Sequence, residues 1–151
     1  MGQVVAIYIS GEKTAPMTGV PEVRAVAGKG LEGDRYFGKA ATFRSNRKSA
    51  KELTLIEQEA VEASGRDYGI EIDASETRRN IVTSGVALNH LVGREFQVGE
   101  VRARGTKLCE PCGLLEKLTG KPVRKTLQHR GGLRAEILTD GTISVGDPIR
   151  T

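Results

Sequence analysis

Eight stretches of the chain either alternate apolar and polar side chains or run as continuous β-branched segments, the two signatures of strands. They are VVAIYIS (4–10), EVRAVAG (22–28), ELTLI (52–56), RNIVTS (79–84), EFQVG (95–99), VRARGTK (101–107), LRAEIL (133–138) and TISVGDPI (142–149). Helical spacing is convincing in only two segments. In LIEQEAVEASGRDYG (55–69), Ile56, Ala60 and Ala63 fall on one side with Val61 beside them, and CGLLEKLTG (112–120) closes on Gly120, a helix stop. Many short strands punctuated by 19 glycines, with few helices, predict a mainly β protein. The expected architecture is a small antiparallel β-barrel, closed or partly open, forming a single domain over residues 1–151. GKAATFRSNRKSAKE (38–52) is basic, polar and aperiodic, and reads as a mobile loop.

Composition narrows the function classes. A length of 151 residues with 38% hydrophobic and 28% charged residues describes one ordinary globular core. No stretch is long and apolar enough to span a bilayer. VVAIYI has neither a basic flank before it nor a small-residue cleavage site after it, so it reads as a first strand rather than a signal peptide. Ala6 stands where a myristoylation signal wants Ser or Thr. These features predict a cytoplasmic protein without membrane contact, in which a two-cysteine disulfide framework would be out of place. A net charge of +4 favours anionic ligands such as phosphates. With aromatic residues at 4% and no Trp, the stacking platforms of nucleic-acid binders are absent, and no nucleic-acid partner is expected.

The chemistry centres on GTKLCEPCGLLEKL, which holds the only two cysteines, Cys109 and Cys112. A C-x-x-C pair serves as a disulfide, half a zinc site, a dithiol redox centre, or a thiolate that holds another metal or carries sulfur. Zinc needs two further ligands, and the only histidines, His90 and His129, match none of the usual spacings. A thioredoxin-like dithiol shares the local order of strand, C-x-x-C and helix but requires a βαβ unit upstream, where this chain has strands. The plainest reading is that both cysteines are small buried residues. Cys112 stands where a helix begins, at the positive end of the helix dipole that favours thiolates.

Three further segments suit an anion. ETRRNIV places Arg78, Arg79 and Asn80 at a strand entry, where alternation would send Arg78 and Asn80 to one face and Arg79 to the other. A guanidinium fork and an amide converging in this way would clamp a phosphate or a pterin. QHRGGLRAEI sets Arg130 beside two glycines whose backbone N–H groups can approach an anion, and KGLEGDRYFGK holds Gly33, Asp34 and Arg35 in a turn.

In chain order, GDRY, LTLIEQEAVE, RRNIVTSGVALNHLVGREFQVGEV, CEPCGLLE, RGGLRAEIL and GTISVGD together resemble the MOSC domain, named for the C-terminal domain of molybdenum cofactor sulfurases. The resemblance runs from about Val4 to Ile149 and is greatest to the small standalone bacterial members. It implies a β-barrel with a molybdopterin-type cofactor in a cleft. Its PC motif falls on Cys112, which would be the sulfur carrier or molybdenum ligand, leaving Cys109 as the extra cysteine. Its R-x-N-I pattern falls on Arg78, Asn80 and Ile81, and Arg130, taken from its place beside the two glycines, is expected as a further cofactor contact near the rim of the same cleft. Tyr36 stands where the family often has His. Sulfur transfer or the reduction of N-hydroxylated compounds is the implied activity, with a cysteine desulfurase or an electron-transfer protein as the partner. A metal-free dithiol or thiol carrier using Cys109 and Cys112 is the alternative.

Overall fold

The computed structural model of the chain describes residues 2–39 and 52–151, so the loop expected over 38–52 falls almost wholly outside the described residues. Seven strands close a ring: β1 (Gly2–Ile9), β5 (Leu53–Glu57), β6 (Ile81–Ser84), β7 (Glu95–Val98), β8 (Val101–Leu108), β9 (Leu133–Ile137) and β11 (Pro148–Arg150). Their order is β11, β7, β8, β9, β5, β6, β1, and β1 returns to β11 through Gly2↔Ile149 and Gln3↔Pro148. The mainly β barrel expected from the pattern is therefore present and closed. β2 (Thr18–Gly19) adds to the outer end of β1, while β3 (Glu22–Val26), β4 (Gly30–Leu31) and β10 (Gly141–Ser144) form a separate small sheet.

Side-chain alternation assigns each strand residue to an inner or an outer layer. Leu53, Leu55, Ile81, Leu133, Ala135 and Ile137 point into the barrel, where Val23, Ala25, Leu31 and Ile143 of the small sheet join the same cluster. Each fully buried Leu or Ile there contributes about 1.5–3 kcal/mol. The alternate residues Ile56 and Val82 point outward and are covered by Val61, Leu115, Val123 and Leu127 from three helices. These are α1 (Gln58–Tyr68), α2 (Gly113–Thr119) and α3 (Val123–Thr126). β5 is thus buried on both faces, which explains its continuous apolar run.

Three details depart from the pattern. β5 and β6 run parallel, with α1 in the connection between them, so the barrel is not purely antiparallel. The stretch 142–149 splits into β10 and β11, which belong to different sheets, across a turn where Gly146 has a φ of 92°. The strand expected from Arg79 begins only at Ile81, because Arg78 adopts the left-handed region at φ 61°, closing a 3-10 turn over Ala74–Thr77. Among the described residues, no helix is long and apolar enough to cross a membrane.

Candidate functional site around Cys112

The arginine that alternation assigned to the opposite face organises the region. Arg79 is buried, and its guanidinium donates to four carbonyl oxygens: Nε to Gly131 at 2.7 Å, Nη1 to Thr77 at 3.1 Å, and Nη2 to Cys109 at 2.8 Å and Glu110 at 3.4 Å. One side chain therefore joins the RRN, CEPC and RGG motifs. A buried arginine is tolerated only when its donors are satisfied, and here backbone carbonyls satisfy them. No local signal in the sequence marks this role, because every partner is a main-chain carbonyl.

The loop carrying the cysteines is also held from its other side. The Glu110 carboxylate accepts from the His129 N–H at 2.9 Å and lies 2.8 Å from His129 Nδ1, while Asn89 Nδ2 donates to the His129 carbonyl at 2.8 Å. The Cys109 N–H donates to the Gly132 carbonyl at 2.8 Å. Neither glycine tolerates a side chain: a Cβ on Gly131 would lie 2.4 Å from the Cys109 oxygen, and one on Gly132, at φ 114°, would lie 2.1 Å from the Leu55 oxygen. The two thiols differ as a result. Cys109 is buried at 2% exposure, whereas Cys112 is exposed at the N-cap of α2, and both are free.

The other expected site residues separate. Asn80 is buried and its amide is used between strands: Oδ1 accepts from the Thr54 N–H at 3.2 Å and hydroxyl at 3.0 Å, and Nδ2 donates to the Tyr8 carbonyl at 3.1 Å. Arg78 points elsewhere. Its Nη1 donates to the Ala15 carbonyl and its Nη2 to that of Lys13, both at 2.7 Å, beside a pocket of about 230 Å³ that also touches Met17, Glu76 and Leu118. Burial, followed by the like charge of Arg35, pushes the Arg78 guanidinium below its ordinary value. The same-face argument for Arg78 and Asn80 assumed a strand, and the left-handed turn at Arg78 removes that assumption. Leu118 lies about 9 Å along α2 from Cys112 at 1.5 Å per residue, so the Arg78 pocket and the thiol border opposite ends of this helix.

Arg130 follows His129 in the turn that grips Glu110, and its Nη1 lies 3.9 Å from Asp67 near the end of α1. Near it, burial raises the half-buried Glu57 carboxyl above the ordinary carboxylate range, against the Leu88 N–H at 3.3 Å and the charges of Arg130 and His90. Among the described residues, no group of three or more His, Cys, Asp or Glu side chains could hold a metal ion.

The MOSC domain model matches residues 32–150, a span that contains the Arg79 hub and every residue bonded to it. The chain belongs to the MOSC domain family. The match begins after β1, but the barrel likeness extends further. The YUAD protein from Bacillus subtilis, at 16% identity, has a TM-score of 0.80 over 99% of this chain and 94% of that one. YiiM from Geobacillus stearothermophilus (18% identity, TM-score 0.75, 99% of this chain and 74% of that one) has the same fold. So does YiiM from Escherichia coli (17%, 0.67, 98% and 68%). None of the curated proteins searched matches the chain. MOSC domains are associated with the molybdenum cofactor, and the match spans the loop that carries the exposed Cys112.

Proposed function

We infer that this MOSC domain binds a molybdopterin-type cofactor beside the Cys112 loop, with the Cys112 thiolate as its sulfur carrier or metal ligand. The observation that carries this reading is the asymmetry of the two thiols on a rigid loop: Cys112 exposed, Cys109 buried. A soft thiolate suits a thiophilic metal or a sulfane sulfur, and the absence of a protein ligand cluster among the described residues suits a metal whose other ligands come from the cofactor. When bound, the cofactor supplies redox chemistry at molybdenum. This chain's residues do the positioning: Arg79 and the Glu110–His129 contact hold the loop, and Arg130 offers charge to an anionic pterin phosphate. Sulfur would come from a cysteine-desulfurase-type donor, and reduction of N-hydroxylated compounds would require an electron-transfer partner.

In the dithiol alternative the exposed Cys112 would attack and the buried Cys109 would resolve the mixed disulfide, so that reading needs both sulfurs, whereas the single-thiol reading needs Cys112 alone. Metal and pterin analysis of protein purified from a molybdenum-replete host tests the choice. Molybdenum and pterin are expected with the wild-type chain and Cys109→Ala, and not with Cys112→Ala. A chain free of both, whose two cysteine variants lose thiol exchange equally, would overturn the inference.

A further inference from the structure

Away from the Cys112 loop, the barrel carries a second feature with its own chemistry. An open concavity of about 550 Å³ lies where β1 and β11 seal the ring, and His90, Arg94 and Arg150 line it together with Gly2 and Val86. No Asp or Glu side chain contributes to its lining, and neither do Cys112, Arg78, Asn80 or Arg130. Of the neighbouring acids, Glu95 pairs with Arg102 and Arg104, while Glu57 and Glu59 are taken up by the Leu88 and Gly85 N–H groups of the turn that borders the hollow. Among the described residues, no ion pair engages Arg94 or Arg150.

The cations stand on fixed backbone. The Gly105 N–H donates to the Arg94 carbonyl at 3.0 Å and the Gly93 N–H to the Gly105 carbonyl at 2.8 Å, so the turn before β7 is clamped to the bulge of β8. A Cβ on Gly105 would lie 2.1 Å from the Leu91 oxygen, which shows how closely the two segments press. Arg150 is held in register against Gln97 of β7. The turn with His90 is pinned by Asn89 to the His129 carbonyl and by Leu88 to Glu57, and Gly2 sits so near Val86 that a Cβ there would lie 2.8 Å from the Val86 Cβ. Two guanidinium groups without ion pairs and an imidazole, carried on fixed backbone about a hollow lined by no Asp or Glu side chain, suit an oxyanion, with Thr151 at its edge.

We propose that this hollow is a second binding site, separate from the Cys112 region, for a small multiply charged oxyanion carrying phosphate or carboxylate groups. Calorimetric titration of the full chain with inorganic pyrophosphate, and separately with succinate, tests it at low ionic strength, where exposed charges are least screened. Saturable binding is expected with at least one titrant, and the tighter of the two identifies the headgroup. Arg94→Gln and Arg150→Gln should each weaken it at least tenfold while melting as the wild type does, since both side chains are exposed. Arg124→Gln, a charge change on α3, should leave the affinity within twofold. Absence of saturable binding by both titrants, unchanged affinity in the two hollow variants, or equal weakening by Arg124→Gln would overturn the proposal. Molybdenum content plays no part in the measurement, so its outcome is independent of the reading of Cys112.

Discussion

The Nη2 of Arg79 lies 2.8 Å from the carbonyl oxygen of Cys109, across 30 residues of chain, and the same guanidinium reaches Gly131 in the turn beyond α3. A single buried charge therefore fixes the loop from which Cys112 projects. This contact makes the loop a rigid platform rather than a flexible arm.

Replacement of Arg79 by Met should leave the carbonyls of Thr77, Cys109, Glu110 and Gly131 without their donor. A loss of about 2–4 kcal/mol in unfolding free energy is expected, within the range for breaking a buried network. Arg79→Lys, which keeps the charge without the fork, should fall between that variant and the wild type. Urea titration followed by circular dichroism measures both. A change under about 0.5 kcal/mol for Arg79→Met, the size of an ordinary surface effect, would show that the network is dispensable.

The two thiols should behave differently in the native protein. Brief treatment with iodoacetamide, followed by peptide mass spectrometry, is expected to label Cys112 and leave Cys109 untouched until denaturant is added. Cys112→Ala should remain within about 0.5 kcal/mol of wild-type stability, whereas Cys109→Ala, at a buried site, should cost about 1 kcal/mol. Equal labelling of the two cysteines would contradict the fold around them.

Acid should loosen the turn that carries Arg78. The Ser75 hydroxyl and N–H hold the Asp73 carboxyl below its ordinary value. Burial opposes ionisation of Glu76, but the Asp73 N–H and the Lys121 ammonium outweigh it and lower that carboxyl too. A carboxyl with a depressed folded value contributes stability above its unfolded value, about 4 for Asp and Glu, and loses it as pH falls through the folded one. Stability should therefore decline below about pH 4, and the decline should be shallower in Asp73→Asn, whose amide does not titrate. Equal slopes in the two proteins between pH 2 and 5 would remove Asp73 from the effect.

What the sequence conveyed about the fold follows from what periodicity measures. Alternation reports which residues face a core, so Val4, Leu53, Ile81 and Ile137 were legible as strand interior. It does not report partners, so the parallel pairing of β5 with β6 and the division of residues 142–149 between two sheets were not. At the site, the place of Cys112 ahead of a helix was legible because Gly120 and the apolar spacing mark α2. The divergence of Arg78 from Asn80 was hidden, since an arginine rarely adopts a positive φ and nothing local signals that it must. Arg79 was hidden for a related reason: its partners are carbonyls, which every residue has.

The seam between β1 and β11 sets the order in which the protein can be completed during synthesis. β11 is three residues long and joins the Gly2–Gln3 edge of β1 to the Gln97–Val98 edge of β7. At about 5–20 residues per second on the ribosome, those two edges remain unpaired until β11 emerges. Until then the nascent chain is an open, curled sheet whose free edges can pair with another chain. Substitutions near Pro148 and Ile149 should therefore act on yield and aggregation during expression before they register as any loss of activity.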